Sequence, residues 1–274
     1  MIDRFSEDID LSLAPAFLGI SEPDLTTSLS KTQGTKWMKK AETACIQVVR
    51  DSLAPELEQT IVASLGPRPE PWLGFAVDAG TGSPVVSFRY PTSQPVGFDY
   101  LKRAVKLEFG SLSDQRPIER QPVRPWIADV LPEAFGDWQC SVVALDAQRT
   151  FWEKATILHS EHHRPADSPM PDRFSRHYAD TAALARHPAV AAAISRDDLR
   201  GRVVAWKSRF FGSAWARYDL ARAPTFKLVP SGEREKALRD DYKAMRDMYL
   251  GEPLPFDDVM ATLLETEAQV NSVF

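Results

Sequence analysis

Cysteine is scarce: Cys45 and Cys140 are the two thiols in 274 residues, with no Cys-x-x-Cys and no ladder of spacings. A disulfide scaffold is therefore excluded, and both thiols, set in apolar stretches, are expected to be buried in a reducing compartment. Long hydrophobic runs are lacking too. The first twenty residues carry Asp3, Arg4, Glu7, Asp8 and Asp10 in place of a basic-then-apolar leader. Neither secretion nor a membrane span is expected, and the cytoplasm is the expected location. The Gly-x-Gly of Ala79-Gly80-Thr81-Gly82-Ser83 is followed by neither a helix nor Lys-Ser/Thr, so it reads as a turn and not as a phosphate loop.

What is present is ordinary globular material, 43% hydrophobic and 26% charged, enough for one large domain or two small ones. A net charge of −5 argues against a general polyanion binder, but the sign is uneven. Residues 196–222 hold seven basic side chains against three acidic ones, whereas residues 1–70 hold seven against eleven. An acidic N-terminal part and a basic C-terminal part suit a metal centre and an RNA or nucleotide grip; the bland alternative is a set of solvated helix faces.

Alternation of Asp8 and Asp10 with Ile9 and Leu11 predicts a strand over 5–13. Apolar residues from Trp37 to Val49 recur at helical spacing within a helical stretch of 36–65, and Pro55 is expected to begin a second helix. A hairpin is expected at 72–77 and 84–90, with further strands at 105–109 and 138–145 extending the same sheet. The proline-rich stretch 114–133 reads as an irregular connection. Thr150-Phe-Trp-Glu153 matches a capping box, so a helix is expected from about Phe151 to His163. Others are expected near 173–185, 188–211, 233–250 and 256–271. The chain thus divides into a mixed α/β part, 1–148, and a helical part, 149–274.

Side chains two apart on a strand share a face, which sets Asp8 and Asp10 about 7 Å apart at Cα. Hard oxygen ligands select Mg²⁺ or Mn²⁺; the alternative is a polar strand edge. In Val105-Lys106-Leu107-Glu108-Phe109, Lys106 and Glu108 lie on one face, so Glu108 is either a third carboxylate for a two-metal clamp or a solvent-facing strand residue. Lys154 stands beside a buried stripe and either reaches phosphate oxygens or snorkels to the surface. His159, His162, His163 and His177 invite a zinc hydrolase reading, against which stands the lack of any His-Glu-x-x-His order. Arg176 and Asp180 are one helical turn apart, the spacing of a salt bridge.

Three blocks in order, Arg4-Phe5-Ser6-Glu7-Asp8-Ile9-Asp10-Leu11, Arg149-Thr150-Phe151-Trp152-Glu153-Lys154 and Arg173-Phe174-Ser175-Arg176-His177-Tyr178-Ala179-Asp180, resemble the AbiEii/AbiGii toxin family of nucleotidyltransferases. The likeness runs on through Lys207-Ser-Arg-Phe-Phe and Asp241 to Met248. The resemblance implies an α/β (α+β) fold with a polymerase-β-type mixed sheet and a C-terminal helical domain. It also implies a toxin of a bacterial toxin–antitoxin or phage-defence pair that adds nucleoside monophosphate from NTP to RNA, in studied members at the tRNA acceptor end. By the same resemblance Asp8, Asp10 and Glu108 are metal ligands, Lys154 and Asp180 serve nucleotide binding and catalysis, Arg176 is a phosphate ligand, and Ser6 is a nucleotide-binding position. The family's Gly-Gly-Thr/Ser-Ser-Leu element lies upstream of the aspartates. Only seven residues precede Asp8, so a truncated start is expected, and Thr26-Thr27-Ser28-Leu29-Ser30-Lys31 reads as a loop. That departure keeps open a non-catalytic protein of the same fold that binds nucleotide or RNA. An antitoxin of winged-helix repressor type is the implied partner, with no direct contact required.

Overall fold

The computed structural model describes residues 2, 4–6, 8–23, 30–91, 104–135, 138–249 and 251–272. Most of the loop expected at 26–31 lies outside them. The chain forms two compact units, one of residues 4–113 and one of residues 114–274 with the chain's first residues.

In the first unit, strand β1 (Asp8–Ser12) is followed by helix α1 (Lys31–Val48), which runs through a π-helical turn, Val49–Leu53, into α2 (Ala54–Leu65). Ser30 starts α1 by accepting from Gln33 N while the Gln33 side chain accepts from Ser30 N, a reciprocal cap that sets the start five residues before the expected Lys36. Pro55 occupies the first turn of α2, where its missing N–H leaves nothing unsatisfied. Strands β2 (Leu73–Val77), β3 (Pro84–Phe88) and β4 (Val105–Gly110) complete a mixed sheet in the order β1-β4-β3-β2, with β1 and β4 parallel and the other pairs antiparallel. The β2–β3 turn is held by Asp78, whose carboxylate accepts from Gly80 N and Thr81 N, and Gly82 takes a positive φ of 71°. It is a turn, as its sequence implies. Ala41, Cys45 and Val49 pack on Val86 and Phe109, so α1 covers the face of the sheet that carries Phe109. Burial pushes the Cys45 thiol up to about 11 and leaves it inert at neutral pH.

The second unit departs from expectation at its start. Strand β5 (Ile118–Val123) lies inside the stretch read as irregular, and after the short helices α3 (Ile127–Val130) and α4 (Pro132–Phe135) it pairs antiparallel with β6 (Cys140–Leu145). These two form a separate two-stranded sheet, so β6 does not extend the first one, and Cys140 is exposed, not buried. Proline misled the reading: Pro122 sits at an edge position, where a missing N–H costs no ladder bond.

Helix α5 (Ala147–His162) begins one turn earlier than the Thr150 box implies, because Asp146 accepts from Gln148 N and Arg149 N at 2.8 and 3.1 Å. Thr150 is already inside the helix and bonds back to Asp146 O. There follow α6 (Ser175–Ala185), two 3₁₀ turns at Pro188–Val190 and Ala193–Ser195, α7 (Asp197–Phe210), α8 (Glu235–Ala244) and α9 (Phe256–Ser272). The helix expected over 188–211 is thus broken at its start and regular only from Asp197. Asp241 on α8 receives the N–H groups of Arg173 and Ser175, capping α6 from a distant part of the chain. The core gathers around α5: Phe151, Trp152 and Leu158 meet Tyr178 and Leu184 of α6, Val203 of α7 and Leu263 of α9. Among the described residues no helix is long and apolar enough to cross a membrane.

Candidate active site

The expected carboxylate face exists in the first unit. Parallel pairing sets Asp8 opposite Lys106 and Asp10 opposite Glu108, while Ile9 and Leu11 stand opposite Leu107 and Phe109. Since Phe109 and Leu107 belong to the core under α1, Asp8, Asp10, Lys106 and Glu108 project from the other face of the sheet. Asp10 is exposed, and Asp8, Lys106 and Glu108 are half-buried. Ser6 lies just before the strand, exposed, its hydroxyl donating to Asp8 O at 3.1 Å.

Lys106 forms an ion pair with Glu108. Its ammonium is held above the ordinary lysine pKa, first by the Glu108 hydrogen bond and further by the charges of Glu108, Asp8 and Asp78. A cation is therefore already favoured at this face. Among the described residues no three His, Cys, Asp or Glu side chains gather as a ready-made metal cage. Mg²⁺ does not require one, because it binds through one or two carboxylates and completes its shell with water and substrate phosphates. The paired aspartates fit such an ion in donor chemistry and in shared face.

In the second unit the two downstream blocks meet. Lys154 on α5 donates to Asp180 on α6 at 2.8 Å, with the Asp180 side chain 2% exposed and that of Lys154 22% exposed. Arg176 stands half-buried one turn before Asp180.

Around Lys154 lies a charge network that the sequence reading did not assign. Arg149, fully buried, donates to Asp114 (2.7 Å), to Glu153 (3.1 and 2.5 Å) and to Arg116 O (2.5 Å). Arg202 on α7 closes a two-point contact on Asp114, at 2.5 and 2.7 Å. Lys207 places its three protons on Glu153 O, Thr156 Oγ1 and Glu153 Oε2, at 2.6, 2.9 and 3.1 Å. Burial raises the Asp114 pKa, yet the hydrogen bonds from Arg202 and Arg149 outweigh it and leave the group below the usual carboxylate range. Lys207 is pushed down, first by burial and then by the charges of Arg149 and Lys154, against the pull of Glu153. Arg149, Lys154, Arg202 and Lys207 thus stand with Asp114, Glu153 and Asp180, leaving one positive charge in excess. A signal for this network existed: Arg149 falls on the apolar stripe of Trp152, Ala155 and Leu158, where a charge must be paired.

The histidines do other work. His159, fully buried, accepts from Lys227 N at Nδ1 (3.1 Å) and so donates from Nε2 to Arg217 O (3.0 Å), leaving no nitrogen for a metal. His162 Nδ1 lies 2.8 Å from Val229 O, and the rings of His159, His162 and His163 pack edge to face. Burial, with smaller contributions from His163 and His162, lowers His159 to about 4. The unfolded chain, with an ordinary histidine near 6.5, then binds more protons between those values, so stability is complete above pH 6.5 and falls with pH towards 4. The His159 contribution to this loss is expected to be about 2–3 kcal/mol between pH 7 and 4.5. Urea midpoints of the native chain and of His159→Gln across that range check it: the two slopes should differ by this amount, and equal slopes would refute the assignment.

Compared with known protein families, residues 1–262 match the family model described as nucleotidyl transferase AbiEii toxin, type IV TA system. Searches of curated proteins and of solved structures gave no significant match.

Proposed function

The chain belongs to the AbiEii family of nucleotidyl transferase toxins of type IV toxin–antitoxin systems, and from that premise we propose that it transfers a nucleoside monophosphate from NTP to the 3′ end of RNA, with tRNA as the acceptor. The strand register that sets Glu108 beside Asp10 carries the reading, because it aligns acidic side chains from two parallel strands on one face. Asp8 and Asp10 hold Mg²⁺ or Mn²⁺ through oxygen donors. When bound, the ion supplies charge neutralisation for the triphosphate. Glu108, released from Lys106, orients the attacking 3′-hydroxyl and takes its proton; the hydroxyl oxygen bonds to the α-phosphorus as the bond to pyrophosphate breaks. Within the second unit, Lys154, kept in place by Asp180, and Arg176 offer donors for phosphate oxygens; within the first, Ser6 orders the approach to Asp8. In this reading residues 1–148 carry the nucleotidyltransferase part and 149–274 the helical part. The protein acts in the cytoplasm, and its antitoxin, of winged-helix repressor type, need not touch it.

Incubating the chain with each α-labelled NTP, total tRNA and Mg²⁺ tests this. Label on RNA from at least one nucleotide supports it, and silence with all four sinks it. A second reading, a protein of this fold that binds nucleotide or RNA without turnover, is favoured by the Lys106–Glu108 pair, which engages the third carboxylate. Saturable NTP or RNA binding without label transfer would select that reading.

A further inference from the structure

The two-stranded sheet of the second unit is unequal at its edges. Strand β5 carries Glu119, Arg120 and Pro122, and charge and a missing N–H are the usual means of blunting an edge. Strand β6 reads Cys-Ser-Val-Val-Ala-Leu, with no charge and no proline, and among the described elements it pairs with β5 alone. A free, β-branched, uncharged edge is a template for another strand. An isolated two-stranded sheet is also marginal in water, and a third strand would remedy that.

The surroundings have the composition of a protein interface. Residues 118–145 contain two tryptophans and two arginines but no lysine. Trp126 and Trp138 are 52% and 53% exposed, Val130 73% and Val143 56%. At about half exposure each tryptophan offers roughly half of the 150–250 Å² that a fully buried aromatic covers, so a standard interface of about 800 Å² per partner must draw on the strand edge as well. Four acidic residues against two arginines over the same span do not favour a polyanion.

We infer that β6 is the interface for a second copy of this chain, pairing antiparallel with its own counterpart to make a four-stranded sheet, β5-β6-β6-β5. The occupant follows from self-complementarity. A two-fold axis normal to a sheet makes one residue of an antiparallel pair face its own copy. Centred on Val142 or on Val143, this sets a valine against a valine and brings no like charges together. The inference does not depend on the transferase reading.

Light scattering on the eluting native chain over a range of concentrations should give twice the 30.7 kDa monomer mass. Val142→Lys and Val143→Lys, at half-exposed and exposed positions that tolerate lysine in a monomer, should each return the monomer mass with an unchanged far-UV spectrum. In a Cys140→Ser background, Val142→Cys or Val143→Cys, whichever marks the centre, should cross-link to itself on mild oxidation, because facing Cα atoms lie within disulfide reach. A monomer at every concentration overturns the inference, as does a dimer that survives both lysine variants or resists cross-linking at both cysteines. Amide protection of 140–145 that appears only with RNA present would also overturn it, assigning the edge to nucleic acid.

Discussion

The double variant Asp8→Ala/Asp10→Ala is expected to transfer nucleotide to RNA at least about a thousandfold more slowly than the native chain. Its melting temperature should stay within a few degrees. The two expectations separate because of where the side chains stand. Asp10 is exposed and Asp8 half-buried on β1, on the sheet face opposite the core under α1, so their removal opens no cavity. Substitutions of that kind cost about 0.5 kcal/mol or less. Each single alanine variant should be nearly as severe as the double, since in the proposed mechanism both carboxylates hold the same ion and such losses do not add. Glu108→Gln should be milder, about a hundredfold, as it removes the proposed proton acceptor and weakens the hold on Lys106 while leaving both aspartates. Label transfer with Mg²⁺ and tRNA reads all four variants beside the native chain on one gel. Transfer that persists in the double variant would show that the aspartate pair is not the ion site, and the proposed mechanism would fall with it.

Alternation made β1 and β4 legible, because a strand covered on one side must put its polar residues on the other, and Asp8, Asp10, Lys106 and Glu108 obey that rule. Which strands are neighbours is a long-range fact that no local pattern carries. The register of Asp10 against Glu108 is therefore news from the structure, as is the separation of β5–β6 from the four-stranded sheet. Helix α5 was legible in type but not in its start: Asp146 and Thr150 are both good caps, and packing of the first turn, with Arg149 buried, decides between them. Lys154 and Asp180 could be named from the motif blocks but not joined, since they lie on different helices. Their neighbours Asp114, Arg149, Glu153, Arg202 and Lys207 come from three distant stretches of chain, and a charged residue on an apolar stripe says that a partner exists without saying which. Exposure of Cys140 was missed for a related reason: Val142 and Val143 made its strand look internal, whereas among the described elements that strand pairs with β5 alone.

Arg149 is the residue whose loss should cost the fold most. Four of its N–H donors are spread over Asp114, Glu153 and Arg116 O, and its side chain is fully buried. Arg149→Met keeps much of the volume but leaves the Arg116 carbonyl without this donor and takes one cation from each carboxylate. Asp114 retains Arg202, and Glu153 retains Lys207, so collapse of the unit is not expected. Removing one partner from a buried ionic network typically costs about 3–5 kcal/mol, which for a unit of this size lowers the melting temperature by about 10 °C. Arg149→Lys should recover little of that: an ammonium offers three protons from one point, whereas these acceptors need the span of a guanidinium. Acid should narrow the gap between native and variant, because the low native pKa of Asp114 means that its paired form contributes stability above the ordinary carboxylate range and loses it as pH falls. Urea denaturation at neutral and acid pH checks both points. A variant within about 1 kcal/mol of the native chain at neutral pH would mean that Asp114–Arg202 and Glu153–Lys207 suffice to orient α5 and hold Lys154 against Asp180, and that Arg149 is kept for another purpose.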